Sequence, residues 1–270
     1  MAPFGLSRLR SLFRREGRQR QNSPTASWSR PFGQSWADPY TVRYASNLDD
    51  GPWHGAPLGG FGAGCIGRSS KGDFNLWHLD GGEHWFGSLP DCQFAFFEDN
   101  GSETRAHALA VEPEADSSKP EGDTPLSRWS WYPASTKEKP TGSYSARYPL
   151  SWFNYSGVFG CEASCESFSP IIPGNYRDTA LPVAVFRWRF RNPSRKPLKL
   201  SLLLSWRNTI GWFCNTDPSA AVHFRDDGSP EHNYVPAIGA TQGQRNRAIN
   251  EPGLRGVLMD GPLSEPIAEG

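Results

Sequence analysis

Three segments late in the chain alternate strictly between apolar and polar residues: Val158–Ser167, Val183–Asn192 and Leu198–Trp206. A period of two places successive side chains on opposite faces, so these segments predict β-strands with one buried and one solvated face. Weaker patterns of the same kind predict further strands at Tyr40–Ala45, Phe74–Leu79, Cys92–Glu98, Thr104–Val111 and Arg255–Met259.

The two strongest strands are separated by the turn-forming segment Asn192–Pro197, which predicts an antiparallel hairpin between them. Their predicted inward residues are Ala184, Phe186, Trp188 and Phe190 on the first and Leu198, Leu200, Leu202, Leu204 and Trp206 on the second. Long strands with a single apolar face are typical of two packed sheets. We therefore expect an all-β, two-layer antiparallel β-sandwich of the supersandwich type, incomplete at the C-terminus.

Composition agrees with this fold class. The chain of 270 residues contains 28 glycines and 24 prolines, which suits short strands joined by turns, and only two methionines. Twenty-eight basic residues balance 28 acidic ones, so nucleic acid is not expected as the main partner. The polar segments Glu112–Pro125 and Lys137–Gly142 are interpreted as surface loops within one domain.

The start of the chain differs from the rest. We expect a basic tail over residues 1–37, disordered or forming a short helix, and the sandwich over residues 38–270. The arginine-rich residues 1–27 favour either a disordered tail or a weak contact with an anionic membrane surface. They contain neither the apolar core of a secretory signal nor a span long enough to cross a bilayer. The expected location is cytoplasmic, with attachment to a membrane surface as the alternative.

Five cysteines, Cys65, Cys92, Cys161, Cys165 and Cys214, make an odd count typical of a reducing compartment. Cys161 and Cys165 lie on one predicted strand, where their Cα atoms are about 13 Å apart, too far for a disulfide. Both are expected to be small core residues.

A glycine-dense stretch, Pro57–Phe86, is the most unusual segment of the chain. Gly62, Gly64 and Gly67 match the spacing of a dinucleotide-binding fingerprint. That fingerprint needs a strand before it and a helix after it, whereas turn formers precede these glycines and a period-2 segment follows them. We therefore interpret the run as tightly turned β-structure that allows close backbone approach.

Candidate chemistry is sparse. The acids near an aromatic turn are Asp80, Glu83 and Asp178, and Asp80 with Glu83 forms either a close carboxylate pair or a capped Asp-Gly-Gly turn. His78, Asp80, Glu83 and His84 are metal-ligand types, but their spacing does not supply a closed site. No metal and no cofactor are expected. The cluster of Trp129, Trp131 and Tyr132 could stack on a sugar, although capping of a core edge is favoured.

Two separated blocks of the sequence carry a resemblance. The glycine-rich block PLGGFGAGCIGRSSKGDFNLWHLDGG and the block Ser169–Trp212, with its Pro-Ile-Ile-Pro, Tyr-x-Asp, Leu-Pro-Val and Ser-Trp-Arg-Asn pieces, resemble in the same order the N-terminal region of glycoside hydrolase family 116. This is the family of non-lysosomal glucosylceramidases and bacterial β-glucosidases. The resemblance covers roughly residues 47–212.

The resemblance implies a β-sandwich that packs on a C-terminal (α/α)6 domain and borders its cleft. In that family both catalytic carboxylates of a retaining β-glucosidase belong to the helical domain, so no catalytic residue is expected in this chain and no activity is expected from it alone. The chain is expected to be truncated, and the implied substrate of the intact enzyme is a β-glucoside or a glucosylated lipid. Candidates for the cleft rim or domain interface are Trp77, Asp80, Glu83, His84 and Asp178.

Two alternatives remain. The chain could be a stand-alone carbohydrate-binding module that stacks sugars on Trp129, Trp131 or the turn at Trp77, which requires tryptophans side by side in solvent. It could instead be a peripheral membrane protein led by residues 1–27.

Overall fold

The computed structural model describes residues 27–34, 55–80, 83–113, 130–212, 222–224, 230–232 and 243–261. In chain order the strands are β1 (Trp28–Pro31), β2 (Pro57–Leu58), β3 (Cys65–Arg68), β4 (Phe74–Asp80), β5 (Glu83–Phe86), β6 (Gln93–Asp99), β7 (Thr104–Ala108), β8 (Gly142–Arg147), β9 (Leu150–Tyr155), β10 (Glu162–Phe168), β11 (Val185–Arg191), β12 (Lys199–Ser205), β13 (Val222–Phe224), β14 (Pro230–His232), β15 (Arg245–Glu251) and β16 (Leu254–Asp260). One short helix, α1 (Tyr176–Thr179), lies between β10 and β11. The predicted all-β class is confirmed.

A five-stranded antiparallel sheet forms one layer, in the order β1-β8-β9-β10-β11. Its register aligns Phe153 with both Tyr144 and Cys165, and Cys165 with Trp188, so these four side chains form one inward row across the sheet. Three of them are almost fully buried and Trp188 is packed against the same core. Because alternate residues share a face, this row places the alternating sequence pattern against the interior.

The opposing layer consists of the three-stranded sheet β12-β6-β7 and the four-stranded sheet β2-β3-β4-β5. Aromatic rings join the layers: Phe94 of β6 lies 5.0 Å from Trp188 of β11, and Phe74 of β4 lies 5.7 Å from Phe186 of β11. The arrangement is consistent with the expected β-sandwich. Two further hairpins, β13–β14 and β15–β16, complete the described strands.

The predicted hairpin across Asn192–Pro197 is wrong. β11 pairs with β10 in the five-stranded sheet, whereas β12 pairs with β6 in the opposing layer. The segment between them is therefore an arch that crosses from one layer to the other. The physical reason is core packing. The arch allows the aromatic rings of β11 to pack across the core against those of β6, instead of placing β11 beside β12 in one sheet.

The predicted inward face of β12 is only partly covered. Leu202 pairs with Phe96 and Leu204 with Phe94, yet Leu202 and Leu204 are 38% and 45% exposed. β11 covers Phe94 and Phe96 from the other layer, whereas β12 is an edge strand whose side chains extend beyond that cover. Leu198, Leu200 and Trp206 do pack against the core, as predicted.

The sandwich begins earlier than expected. Strand β1 pairs with β8, and Phe32 just after it is fully buried against Tyr132 and Tyr155. Residues 28–34 thus belong to the folded domain, although the predicted tail extended to residue 37. The predicted strand Tyr40–Ala45 and the basic residues 1–26 lie outside the described residues.

Predictions about individual side chains agree better with the structure. Cys161 and Cys165 are buried and free, as expected, while Cys214 lies outside the described residues. Tyr132 is buried and donates its hydroxyl to Thr141 O at 2.8 Å, so the aromatic cluster caps the core at this position. Trp131 is half-buried and forms an isolated parallel β-bridge with Ala108. Trp129 is not among the described residues. Strand β15 was not predicted, because its sequence RNRAINE lacks an apolar alternation.

Candidate functional site

The glycine loop, residues 59–64, connects β2 to β3 and turns back on itself. Gly62 and Gly64 have φ values of +72° and +79°, a left-handed conformation that favours glycine. A Cβ on Gly59 would lie 2.0 Å from the carbonyl oxygen of Gly64. The tight turn therefore requires glycine at these positions.

The glycine loop packs directly on the chain that follows α1. Phe61 N donates to Thr179 O at 2.9 Å, and a Cβ on Gly60 would lie 2.5 Å from the carbonyl oxygens of Ala180 and Leu181. The two sequence blocks that carry the resemblance thus meet backbone to backbone, a contact that neither block shows when read alone.

Asp178 lies in α1 and stabilises the start of that helix. Its backbone N–H donates to Asn175 Oδ1 at 3.2 Å, and Asn175 Nδ2 donates to its carboxylate at 2.8 Å. Asn175 is the N-cap residue, so the first of these bonds satisfies one backbone N–H that a helix start leaves free, and the second fixes the Asn175 side chain in place. Thr179 adds a second anchor through its hydroxyl, which bonds the backbone of Ile172.

The third segment is the hairpin of β4 and β5, the predicted aromatic turn. A Cβ on Gly64 would lie 2.5 Å from the carbonyl oxygen of His78, so the glycine loop also packs on β4. The structure therefore brings the backbones of the glycine loop, α1 and β4 together. Asp80 pairs with Glu83 across this hairpin, and the side chains of Asp80, Glu83 and His84 lie outside the described part of the structure.

Trp77 does not present its ring to solvent. It is fully buried, and its indole N–H donates to Gly87 O at 2.9 Å. Trp77 therefore supports the hairpin from the core.

Sequence reasoning missed the side chains that are exposed here. Phe61, Tyr148 and Tyr176 are 69%, 58% and 77% exposed, and we call these three residues the aromatic face. Phe61 and Tyr148 line an open pocket of about 420 Å³ together with the glycine loop, His78 and Leu79. The only available signals were a phenylalanine among glycines and the tyrosine of the Tyr-x-Asp piece.

The context of a dinucleotide site is not formed. Gly62, Gly64 and Gly67 lie between and within two antiparallel strands, β2 and β3, and the next element in the chain is the strand β4. A phosphate site of that type needs the N-terminus of a helix after the glycines.

Three of the described glutamates are held by cations or backbone amides. Glu162 pairs with Arg191 and Glu166 with Arg187, and Glu98 is buried and accepts from two backbone N–H groups. The hydrogen bond from Arg191 lowers the pKa of Glu162, and that from Arg105 lowers the pKa of Glu103. A general acid for glycoside hydrolysis needs a raised pKa, so these two residues are poor candidates.

The described part of the chain contains no cluster of three or more His, Cys, Asp or Glu side chains that could hold a metal ion. The proposed set of His78, Asp80, Glu83 and His84 is not tested, because three of its side chains are not described. No helix in the described ranges is long and apolar enough to cross a bilayer.

The chain matches the model of a known family. The family model described as "beta-glucosidase 2, glycosyl-hydrolase family 116 N-term" matches residues 55–267. The matched region contains the glycine loop, α1 and strands β2 to β16.

Proposed function

The chain belongs to the N-terminal family of glycosyl-hydrolase family 116, and from that membership we propose that it packs on a helical catalytic domain and borders the cleft of a β-glucosidase. The glycine loop, α1 and the β4–β5 hairpin form the contact region. The substrate of the assembled enzyme is a β-glucoside, either soluble or a glucosylated lipid.

The observation that carries this proposal is the aromatic face beside the glycine loop. Its three rings are more than half exposed although the core of the same domain buries most of its aromatic side chains. Exposed aromatic rings are a common feature of interfaces and ligand sites, because they combine apolar area with few rotatable bonds. Two of these rings, Phe61 and Tyr148, line the open pocket, and Tyr176 lies on α1, whose Thr179 O accepts from Phe61 N. The close backbone contact at Gly60 gives this face a rigid base.

The described carboxylates support the assignment of catalysis to a different domain. Glu98, Glu162 and Glu166 are each occupied by backbone amides or arginine, and Asp178 is used in capping α1. We propose that the catalytic pair comes from the helical domain and that this chain has no glycosidase activity alone. The assay is release of p-nitrophenol from its β-glucoside by the purified chain. Sustained turnover that co-purifies with the folded protein would contradict the proposal.

The role of the aromatic face is tested in a full-length family member that carries these residues. Phe61→Ser and Tyr176→Ser should lower kcat/KM or thermal stability of the intact enzyme, because each removes apolar contact area from the expected interface. Val257→Ser is the matched control, since Val257 is 60% exposed on β16, which is not part of the proposed contact region. Unchanged kinetics and unchanged melting in both variants would count against an interface or cleft role.

A further inference from the structure

A second pocket, of about 430 Å³, lies where β12 ends and the β15–β16 hairpin begins. It is lined by Trp206, Arg207, Asn208, Trp212, Gln244 and Asn246. The first three residues belong to the Ser-Trp-Arg-Asn piece, which the proposed function leaves without a role. The pocket is thus separate from the glycine loop.

Asn208 holds the two sides of this pocket together. Its amide nitrogen lies 2.9 Å from Asp260 O, 3.0 Å from Asn246 Oδ1 and 3.2 Å from Arg245 O, and its own oxygen accepts from Ile210 N. All hydrogen-bonding capacity of Asn208 is therefore directed at the hairpin and the following turn. The residue builds the pocket and does not offer free groups to a ligand.

Trp206 and Trp212 form the apolar walls. Trp206 is fixed by edge-to-face contact with Phe74 at 4.9 Å and by Trp77 at 5.5 Å. Trp212 is 2% exposed, and Arg207 lies over its ring with 5.7 Å between Cζ and the centroid. The walls are rigid because the core holds both indoles.

The polar groups of the pocket include donors and acceptors without net charge. Arg207 is paired with Asp91, so its charge is already compensated. Gln244 Nε2 donates to Ile210 O at 2.7 Å, and Asn246 Oδ1 accepts from Asn208. The side-chain carbonyl of Gln244 and the side-chain N–H groups of Asn246 take no part in these two bonds.

Two buried polar atoms at or beside this pocket have no hydrogen-bond partner among the described residues. The indole N–H of Trp212 is buried and makes no hydrogen bond to any described residue, and the same holds for Asp91 Oδ1. A buried polar atom without a partner is costly, and such atoms are unusual in folded proteins. An indole N–H in the wall of a polar pocket is a donor that a ligand hydroxyl can satisfy.

We propose that this pocket binds one neutral sugar unit. Pyranose rings present apolar C–H faces and hydroxyls that both donate and accept, which matches rigid indole walls combined with amide groups and one indole N–H. An anion is disfavoured because the guanidinium of Arg207 already has a carboxylate partner. The inference does not depend on the proposed function of the glycine loop.

The test is titration of the purified chain with methyl β-D-glucoside and with cellobiose, followed by calorimetry and by tryptophan fluorescence. We expect saturable binding. Trp212→Phe removes the unpaired N–H and Gln244→Leu removes the free carbonyl, so each should weaken binding about three- to tenfold, the effect of one lost hydrogen bond.

Matched controls keep the result specific. Gln34→Leu serves for Gln244→Leu, since the Gln34 amide likewise donates to a backbone carbonyl, Ser135 O at 2.9 Å. Trp131→Phe serves for Trp212→Phe and also reports on the aromatic cluster near Tyr132. Gln244 is at the surface, so its variant remains informative if Trp212→Phe fails to fold.

Several outcomes would overturn the proposal. They are the absence of saturable binding by the folded chain, equal affinity of Gln244→Leu and wild type, and a loss of binding in Trp131→Phe alone. Tighter binding of glucuronate than of the neutral glucoside would show that the pocket selects an anion, which also contradicts the inference.

Discussion

The guanidinium of Arg68 lies over the ring of Phe153 in the middle of the sandwich, with 4.1 Å between Cζ and the ring centroid. Arg68 is 1% exposed, and Phe94 flanks it at 5.1 Å on the opposing layer. Its nitrogens donate to Gly72 O at 2.9 Å, Leu109 O at 3.2 Å and the Tyr155 hydroxyl at 2.8 Å. A buried cation is thus held by aromatic faces and neutral oxygens, and it joins both layers of the core.

Arg68→Lys should lower the free energy of unfolding by about 2–4 kcal/mol, because an ammonium cannot reproduce the planar fork of hydrogen bonds and leaves buried oxygens unpaired. Urea unfolding followed by tryptophan fluorescence measures the change. Arg147→Lys, at an exposed position on β8, is the control and should stay within about 0.5 kcal/mol of wild type. Equal stability of the two variants would contradict the structural role of Arg68.

Glu98 fixes the loop before β10 to strand β6. Its two carboxylate oxygens accept from Gly160 N and Cys161 N, each at 2.7 Å, and the residue is 1% exposed. Glu98→Gln replaces one acceptor with an N–H₂ group that faces a backbone N–H, so a loss of about 2–3 kcal/mol is expected. Glu103→Gln breaks only an exposed ion pair with Arg105 and should leave the melting temperature almost unchanged. Thermal melting of the two variants distinguishes these effects, and a larger loss for the Glu103 variant would refute the assignment.

Stability should fall at alkaline pH. Burial raises the pKa of Tyr144 and Tyr155 to about 12 from an ordinary value of 10.0, and burial raises the pKa of Cys92 to about 12 from 9.0. Between about pH 9 and pH 12 the unfolded chain has released protons that the folded chain still holds. The contribution of these groups to stability is therefore complete below about pH 9 and is lost as the pH rises toward 12. The expected loss is about 2–3 kcal/mol for each tyrosine and about 4 kcal/mol for Cys92, whose pKa is shifted further.

Denaturant unfolding at a series of pH values tests this expectation. Tyr144→Phe removes one of these titrating groups and should make the decline less steep than in the wild-type chain. A free energy of unfolding that stays constant from pH 9 to pH 12 would show that these groups do not titrate with folding.

The contact between the glycine loop and α1 depends on Gly60. A methyl group at this position would overlap the backbone oxygens of Ala180 and Leu181, which cannot rotate away. Gly60→Ala should therefore destabilise the fold by about 1–3 kcal/mol. Gly256→Ala is the control, because nothing lies within 4 Å of its added Cβ, and melting temperatures compare the two. A neutral Gly60→Ala would mean that the loop can move away from α1 at little cost.

Much of the strand content was predictable. Residues of β10 and β11 alternate so strictly that their existence and inward faces follow from the period of two alone, as Cys161 and Cys165 show. The family followed from the two sequence blocks and is confirmed. The pairing of β12 was not predictable, because a turn sequence between two strands is compatible with both a hairpin and an arch.

The burial of charged residues in the core could not be predicted from the sequence either. Arg68 and Glu98 read as surface residues, since burial of a charge is unfavourable unless specific partners surround it. Those partners, Phe153, Tyr155 and the amides of Gly160 and Cys161, are distant in the chain. For the candidate site, the sequence indicated Asp178 and the hairpin of β4 and β5 as candidates, but it did not indicate the exposed rings of Phe61 and Tyr148.

The order of side chains along the chain by itself determined the fold class and the inward faces of the best strands, because alternation is a local property. The tertiary structure alone decided which strands became neighbours, which charges entered the core and how the glycine loop met α1. These choices depend on side chains and backbone groups brought together from distant parts of the chain, where packing and hydrogen bonding select one arrangement among those that local pattern allows.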